Sequence, residues 1–229
     1  MIKPILTFLS RHPRSVLSIC FCVLSAALFA DGLVVTVVPM VAMTAGDSSP
    51  ASGRAFSAKA YVDRIWSKKV VPAALHDSVP LPTFLAALGR NKSAALTRFG
   101  HKVDGTYNIL VRFTGRVSRI DASSPMGTIT VDVADGARTI PVKVSIGPVI
   151  LGTALRDAMK FISFQSFLNQ VQYGDVADEL NNHVIANVTG SLQLPQIRGR
   201  RIAVFGAYTY DDTNSQTIAV TPVILRLRK

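Results

Sequence analysis

The stretch YNILVRFTGRVS, residues 107–118, has a small or apolar side chain at every second position from Ile109 to Val117. Such alternation predicts a β-strand with one face buried and the other largely polar. Two arginines, Arg112 and Arg116, lie on the polar face. The predicted buried face consists of Ile109, Val111, Phe113, Gly115 and Val117.

Similar alternation continues on both sides of a helical interval. It predicts strands over residues 128–133 and 140–146, with an Asp135-Gly136 turn signal between them. Next come apolar residues with helical spacing. They predict a helix whose apolar face continues to about residue 181. Gly174 is expected to interrupt that helix. Strands are predicted again over residues 184–192, 201–208 and 217–227. The helical stripe consists of Phe164, Phe167, Leu168 and Val171.

The order of these elements predicts an α+β fold. Three strands, a helix, and two or three further strands match the OB layout, a partly open Greek-key barrel with a helix between strands 3 and 4. Gly115 and Gly206 fall within strands, where the bends that close a small barrel occur. A β-sandwich is the alternative, although its connections seldom include a helix of this length.

The chain before the barrel divides into three predicted parts. Residues 1–14 carry three basic residues and no acid, and the following residues are apolar with a single acid at Asp31. This pattern favours an uncleaved signal anchor over residues 1–45, a transmembrane helix that leaves the C-terminal domain in the periplasm. A cleaved signal peptide is the alternative. A linker over residues 46–57, a helical subdomain over 58–105 and an OB-like barrel over 106–229 follow. Within the subdomain, Pro72 is expected to end the first helix.

Composition excludes several classes of protein. The 229 residues are 48% hydrophobic and 17% charged, too apolar for a disordered chain. Both cysteines, Cys20 and Cys22, lie in the N-terminal segment, so neither a disulfide nor a cysteine-based metal site is expected in the domain. The formal net charge of +11 favours anionic partners. Since no nucleophile–base pair, phosphate-binding loop or metal-binding motif is evident, we expect no catalysis, cofactor or metal.

Two segments stand out as a candidate ligand site, residues 146–157 and 164–173. Glycines and a proline shape the first, and amides flank apolar residues in the second. Arg156 is expected to donate to an anion or a hydroxyl, while Asn169 and Gln170 bind through their amides. Alternatively, these residues fix how the helix covers the barrel end, and Arg156 pairs with Asp157 or Asp178. The predicted site is Gly147, Pro148, Gly152, Thr153, Arg156, Asp157, Asn169 and Gln170.

The same two segments carry a family resemblance. IGPVILGTALRDA (residues 146–158) and FQSFLNQVQYGDVADELN (residues 164–181) are similar to DUF2291, a family of predicted periplasmic lipoproteins. YVDRIW (residues 61–66) and GRRIAVFGAY (residues 199–208) add to the similarity. The resemblance implies an envelope location and an association with sugar-type ABC import systems, but no catalytic residues. Ile19 and Phe21 precede the two cysteines, so neither cysteine lies in a good lipidation motif.

Together these patterns predict a periplasmic binding or accessory module that is attached to the inner membrane. Its expected partners are the membrane, ABC importer subunits or another envelope protein, and a small-molecule ligand. A structural protein that assembles with another envelope protein is the alternative. A nucleic-acid-binding OB domain is less favoured, because the basic run from Arg198 to Arg201 lacks the interleaved aromatic residues on which bases stack.

Overall fold

The structure is a computed structural model that describes residues 55–212 and 217–228. Residues 54–229 form one compact unit. The predicted anchor over residues 1–45, and the linker up to residue 54, lie outside the described residues. Within the described part of the chain, no helix combines the length and the apolar composition that a membrane crossing requires.

Five strands form a closed barrel: β3 (Thr106–Asp121), β4 (Thr128–Asp135), β5 (Arg138–Ser145), β6 (Arg201–Tyr210) and β7 (Ile218–Leu227). They pair in the order β3-β4-β5-β7-β6, and β6 pairs back onto β3. The β5–β7 pair is parallel, whereas the other pairs around the barrel are antiparallel. The main helix lies between β5 and β6, so the structure has the predicted OB-like arrangement. Two short strands, β1 (Val79–Pro80) and β2 (Gly100–Val103), also pair with β3.

Two glycines allow neighbouring strands of the barrel to approach closely. A Cβ atom on Gly115 would lie 2.4 Å from the carbonyl oxygen of Asp132, and one on Gly206 would lie 2.3 Å from that of Thr221. The β6–β7 register also shifts between Phe205 and Gly206. These positions therefore require glycine for the strand contact, as expected from their place within strands.

The barrel interior is one hydrophobic core. Inward side chains of β3, such as Ile109 and Val111, pack there with residues of the other strands. Helix α3 (Leu81–Arg90) adds Leu81 and Phe84, both fully buried, so the helices before the barrel share its core. The predicted boundary at residues 105/106 lies in the turn between β2 and β3, and both strands belong to the same sheet.

A second core lies between the outside of the barrel and the helices. Leu110, Ala207 and Val223 point outward from the strands and are buried against helical residues such as Val176 and Leu180. The first half of β3 is therefore buried on both faces. The outer face is polar and exposed only toward the end of the strand, for example at Arg116 and Ser118. The predicted polar outer face thus applies to half of the strand.

The first helical segment continues past the proline expected to end it. Helix α1 (Ala58–Ile65) runs through a π-helical turn (Trp66–Val70) into α2 (Val71–His76). Pro72 lies in the first turn of α2, and the N–H of Val71 donates to the carbonyl of Trp66. Proline lacks a backbone N–H and is tolerated in the first turn of a helix, where that N–H would have no partner within the helix. The wider π turn lets a new α-helix begin at Val71, so Pro72 falls in a first turn. Helices α3 and α4 (Lys92–Phe99) follow, within the range predicted to be helical.

The segment between β5 and β6 differs most from expectation. Helix α5 (Ala154–Ala158) and a 3₁₀ turn (Phe164–Ser166) precede α6 (Gln170–Val184), which runs through Gly174 without interruption. A π-helical turn (Ile185–Thr189) and α7 (Leu194–Ile197) then replace the strand predicted over residues 184–192. That prediction was wrong because apolar residues such as Val184 and Val188 pack in the second core from a helix.

Candidate functional site

A cleft of about 490 Å³ lies against the outer face of the barrel wall, beside the loop into α5. Its walls come from the β2–β3 turn, the end of β5, the loop into α5, the end of β6 and the start of β7. Elements far apart in sequence therefore meet there. The polar residues that line it are Asp104, Thr106, Asn108, Ser145, Thr153, Asp157, Thr209, Asp211, Thr217 and Thr221.

The wall of the cleft carries acids and no basic residue, unlike the chain as a whole. Asp104, Asp157 and Asp211 line it, and among the described residues of its wall none is Lys, Arg or His. The chain itself has 25 basic residues against 14 acids. Carboxylates and hydroxyls accept hydrogen bonds from hydroxyl or ammonium groups, and the carboxylates disfavour an anion. The described residues contain no group of three or more His, Cys, Asp or Glu arranged to hold a metal ion.

A buried asparagine forms part of the cleft wall. Asn108, 3% exposed, belongs to β3, and Thr209 of the paired strand β6 donates from its Oγ1 to Asn108 Oδ1 over 2.6 Å. This bond fixes the orientation of the amide, since the acceptor oxygen is engaged and the Nδ2 end carries the two donors. The cleft wall therefore contains an amide of fixed orientation beside its hydroxyls and carboxylates.

Arg156 is directed into the second core and not into the cleft. Its Nε donates to Asp157 Oδ1 over 2.8 Å, and its Nη1 donates to the carbonyl of Tyr173 over 3.2 Å. The guanidinium lies 3.7 Å from the centre of the Tyr173 ring, and the side chain is 5% exposed. Arg156 therefore holds Asp157, as in the alternative interpretation of the sequence. The expected role as a ligand donor does not fit this orientation.

Asp157 connects the cleft to the second core. Besides Arg156, Tyr173 donates from its hydroxyl to Asp157 Oδ1 over 3.4 Å. Burial raises the pKa of Tyr173, with Arg156 acting in the opposite direction, so this hydroxyl stays a donor at neutral pH. His101 Nδ1 donates to the backbone carbonyl of Asp157 over 2.6 Å. Two side-chain contacts thus position the carboxylate at the cleft wall, and the third holds its backbone.

The loop before α5 supplies part of the predicted site. Gly152 and Thr153 line the cleft, and the carbonyl of Gly152 accepts from Nδ2 of the buried Asn181 in α6 over 2.9 Å. Gly147 and Pro148 lie at the start of the loop instead, joined by a cis peptide bond, and do not line the cleft. A Cβ atom on Gly127 would come within 2.4 Å of the carbonyl of Gly147, so this part of the loop packs against the β3–β4 connection.

The two predicted amides lie at the start of α6, away from the cleft. Asn169 is the N-cap residue, and its Oδ1 accepts from the backbone N–H of Gln172 over 2.9 Å. Gln170 is the first residue of the helix and is exposed. Of the predicted site, the structure therefore brings together Gly152, Thr153 and Asp157. Asn169 has a helix-capping role, as residues of its type commonly do.

Sequence reasoning missed most of the cleft wall. The missed residues lie at strand ends and turns on three separate segments, and each is an ordinary surface residue when considered alone. The pairing of β3 with β6 brings Asn108 opposite Thr209, and that register is not visible in the sequence. A cluster of threonines at positions 209, 217 and 221 was the available signal. The missed polar residues are Asp104, Thr106, Asn108, Ser145, Thr209, Asp211, Thr217 and Thr221.

Comparison with known proteins agrees with the fold and with the resemblance noted in the sequence. The family described as "Predicted periplasmic lipoprotein (DUF2291)" matches residues 22–226. A crystal structure of an OB-fold protein from Thermotoga maritima is similar, with a TM-score of 0.63 and 19% identity over 76% of this chain and 100% of that one. At this identity the likeness shows the fold alone. No curated protein matches the chain. The chain belongs to the DUF2291 family of predicted periplasmic lipoproteins, and this membership indicates an extracytoplasmic location.

Proposed function

We propose that this protein is an extracytoplasmic binding module, and that its ligand is a small polar molecule bearing hydroxyl or ammonium groups. The observation that carries the proposal is the cleft on the outer face of the barrel wall, with three carboxylates, a positioned amide and several hydroxyls. A cleft of about 490 Å³ has the size of a small-molecule site. Membrane attachment through the N-terminal segment remains part of the proposal.

The chemistry of the cleft selects between ligand classes. A polyhydroxyl ligand would donate to Asp104 and Asp157 and accept from the amide of Asn108. An ammonium group would bind the carboxylates through charge-assisted hydrogen bonds. A phosphate or carboxylate ligand is disfavoured, because the described wall contains no Lys, Arg or His, and Arg156, which pairs with Asp157, is directed into the second core.

Binding fits the hydrogen bonds around the cleft better than catalysis does. His101, the histidine that contacts Asp157, donates to its backbone carbonyl and so is engaged with the chain itself. Asp157 Oδ1 accepts from Arg156 and Tyr173. An aspartate held in this way has a fixed orientation and is suited to an acceptor role. We therefore propose that the cleft recognises its ligand without transforming it.

Ligand titration of residues 54–229, the compact unit, tests the proposal. The probes are glucose and myo-inositol for polyols, putrescine for amines and inorganic phosphate for anions, each followed by calorimetry and amide NMR shifts. We expect a polyol or the amine to shift the amides of Asn108 and Thr153, and phosphate to shift neither. Binding of phosphate alone, or shifts confined to residues outside the cleft, would refute the proposal.

A pair of threonine variants provides the matched control. Thr209→Val removes the hydroxyl that orients Asn108, whereas Thr139→Val alters an exposed strand position outside the cleft. We expect Thr209→Val to weaken binding at least about tenfold, corresponding to the loss of about one good hydrogen bond. Thr139→Val should bind as the parent does. Asp104→Asn separates the two ligand classes, since removing a charge should weaken an amine far more than a polyol.

We also propose that this binding module serves an ABC importer of the sugar type. The support is the family resemblance and the polar chemistry of the cleft. Affinity purification of the full chain from gently solubilised membranes tests this, with partners identified by mass spectrometry. Recovery of a permease or solute-binding subunit supports an importer role. Recovery of a different envelope protein, unaffected by added glucose or putrescine, would favour the assembly role instead.

A further inference from the structure

The segment before α6 exposes several large apolar side chains. Leu168 is 89% exposed and Val171 69% exposed, while Phe164 and Phe56 are 45% and 38% exposed. We call these four residues the apolar tip. Leu168 and Val171 belong to the apolar stripe whose spacing predicted a helix from Phe164. The structure differs at Leu168, because the Asn169 cap starts α6 at Gln170 and leaves Leu168 outside the helix. Contiguous apolar groups on a surface usually mark an interaction site.

Local hydrogen bonds and ring contacts keep the apolar tip in place. The N–H of Leu168 donates to Gln172 Oε1 over 3.1 Å, while the N–H of Gln172 donates to the cap oxygen of Asn169. Behind this backbone, aromatic rings form a connected cluster. Phe56 lies 5.7 Å from Phe167, Phe167 lies 5.6 Å from Tyr173, and Phe164 lies 5.7 Å from Tyr173. The fold therefore holds Leu168 outward on a supported backbone, in contrast to a loose loop.

The apolar tip lies where the chain enters the domain. Phe56 is part of the tip and lies near the end of the predicted linker, and the uncharged stretch over residues 32–46 ends ten residues before it. Ten extended residues span at most about 35 Å. If the N-terminal segment is embedded in the bilayer, the tip must therefore remain within that distance of the bilayer surface.

The sequence around the apolar tip carries few charges. From residue 159 to residue 174 the only charged residue is Lys160, and Asp175 follows one helical turn after Val171. The Nζ of Lys69 lies 5.5 Å from the centre of the ring of Phe161, three residues before Phe164. Apolar side chains with lysines nearby are typical of surfaces that enter the headgroup region of an anionic bilayer.

We propose that the apolar tip contacts the anionic lipid bilayer to which the chain is attached, with Leu168 and Val171 inserted at the interface. The inference rests on the proposed membrane attachment and is independent of the ligand cleft. It orients the domain, because a bilayer contact at the entry point fixes which face of the domain is turned to the membrane.

Site-specific fluorescence on the full chain tests this contact. Leu168→Cys is introduced in a background in which Cys20 and Cys22 are replaced by serine, and is labelled with the environment-sensitive dye NBD. Ala137→Cys, in the exposed turn between β4 and β5, is the matched control. The proteins are reconstituted into vesicles of phosphatidylethanolamine and phosphatidylglycerol, with and without a nitroxide-bearing lipid. Trp66 emission in urea checks that each variant is folded.

We expect the dye at residue 168 to shift to the blue and to be quenched by the nitroxide lipid, and the dye at residue 137 to do neither. Weaker quenching in pure phosphatidylcholine vesicles would support the anionic preference, and equal quenching would overturn that part. A blue shift without lipid quenching would show that a second copy or another segment covers the tip, and overturns the proposal. A dye that stays exposed to water would also overturn the proposal, and so would a chain that does not associate with vesicles. Ligand titration of residues 54–229 without vesicles is unaffected by any of these results.

Discussion

Replacing Arg156 by alanine tests the interpretation that this residue holds the core together. The guanidinium and the Asp157 carboxylate have side-chain exposures of 5% and 7%. Arg156→Ala would leave the carboxylate largely buried, with the Tyr173 hydroxyl as its remaining side-chain donor among the described contacts. It would also remove the bond to the Tyr173 carbonyl and the contact with the Tyr173 ring.

Removing one partner of a buried ion pair lowers the free energy of unfolding by about 3–5 kcal/mol, because the other charge stays buried and unpaired. Small domains have a total stability of about 5–15 kcal/mol, so the variant should unfold at a much lower urea concentration. Urea unfolding of residues 54–229, followed by Trp66 fluorescence, measures the difference. Lys59→Ala is the matched control, because it breaks the 2.8 Å pair with Asp63 on the surface, where both side chains are about half exposed or more. We expect that change to be barely measurable, since water and salt screen such pairs.

A second variant keeps the test informative if Arg156→Ala does not fold. Arg156→Leu combined with Asp157→Asn removes both charges, so no uncompensated carboxylate stays buried. We expect the double variant to be more stable than Arg156→Ala. A free energy of unfolding for Arg156→Ala within about 1 kcal/mol of the parent would refute the reasoning, and so would a double variant that is no more stable than the single one.

Three further results are expected from urea or thermal unfolding of the same unit. Gly174→Ala should stabilise α6 by about 0.5–1 kcal/mol, because a Cβ atom there meets nothing within 4 Å and alanine favours the helix; a loss of stability would contradict this. Gly115→Ala should destabilise the barrel by about 1–3 kcal/mol or more, through the 2.4 Å approach to Asp132, and unchanged stability would show that the strands can separate. Burial lowers the pKa of His183 below 6.5, although the nearby acids oppose it. The unfolded chain then binds more protons, so stability should fall as the pH drops from about 6.5 through the folded pKa. His183→Gln should flatten the pH dependence of the free energy of unfolding in this range. An unchanged pH dependence would show that other groups cause it.

The strands of the barrel were predictable from the sequence because each has one inward face. Alternation from Ile109 to Val117 predicted β3, and the same pattern predicted β4 and β5. Apolar residues were misleading where they are buried from a helix. The residues after Val184 pack in the second core, so their apolar character reflects burial and not strand periodicity. Apolar spacing also suggested a helix across Leu168, whereas the side chain of Asn169 decided where the helix begins.

The candidate site was less predictable, because it depends on which strand ends meet. Gly152, Thr153 and Asp157 were identified because they lie in one unusual segment of the sequence. Asn108 and Thr209 are separated by 101 residues and become neighbours through the β3–β6 pairing. The sequence left two roles open for Arg156, a donor to a ligand and a partner of Asp157 or Asp178. The actual orientation of Arg156 is set by Tyr173, which is supplied by another helix and offers both a carbonyl and a ring face.

Tyr173 connects the two surfaces for which we propose functions. Its hydroxyl donates to Asp157 at the cleft, and its ring contacts Phe164 and Phe167 behind the apolar tip. The cleft and the tip are therefore built on one packed group of side chains, with no flexible segment between Asp157 and Phe167 along this path. Rigid packing of this kind fixes the orientation of the cleft relative to the tip. If the tip rests on the bilayer, the cleft is held in one orientation to the membrane, as a module that presents a ligand to a membrane partner requires.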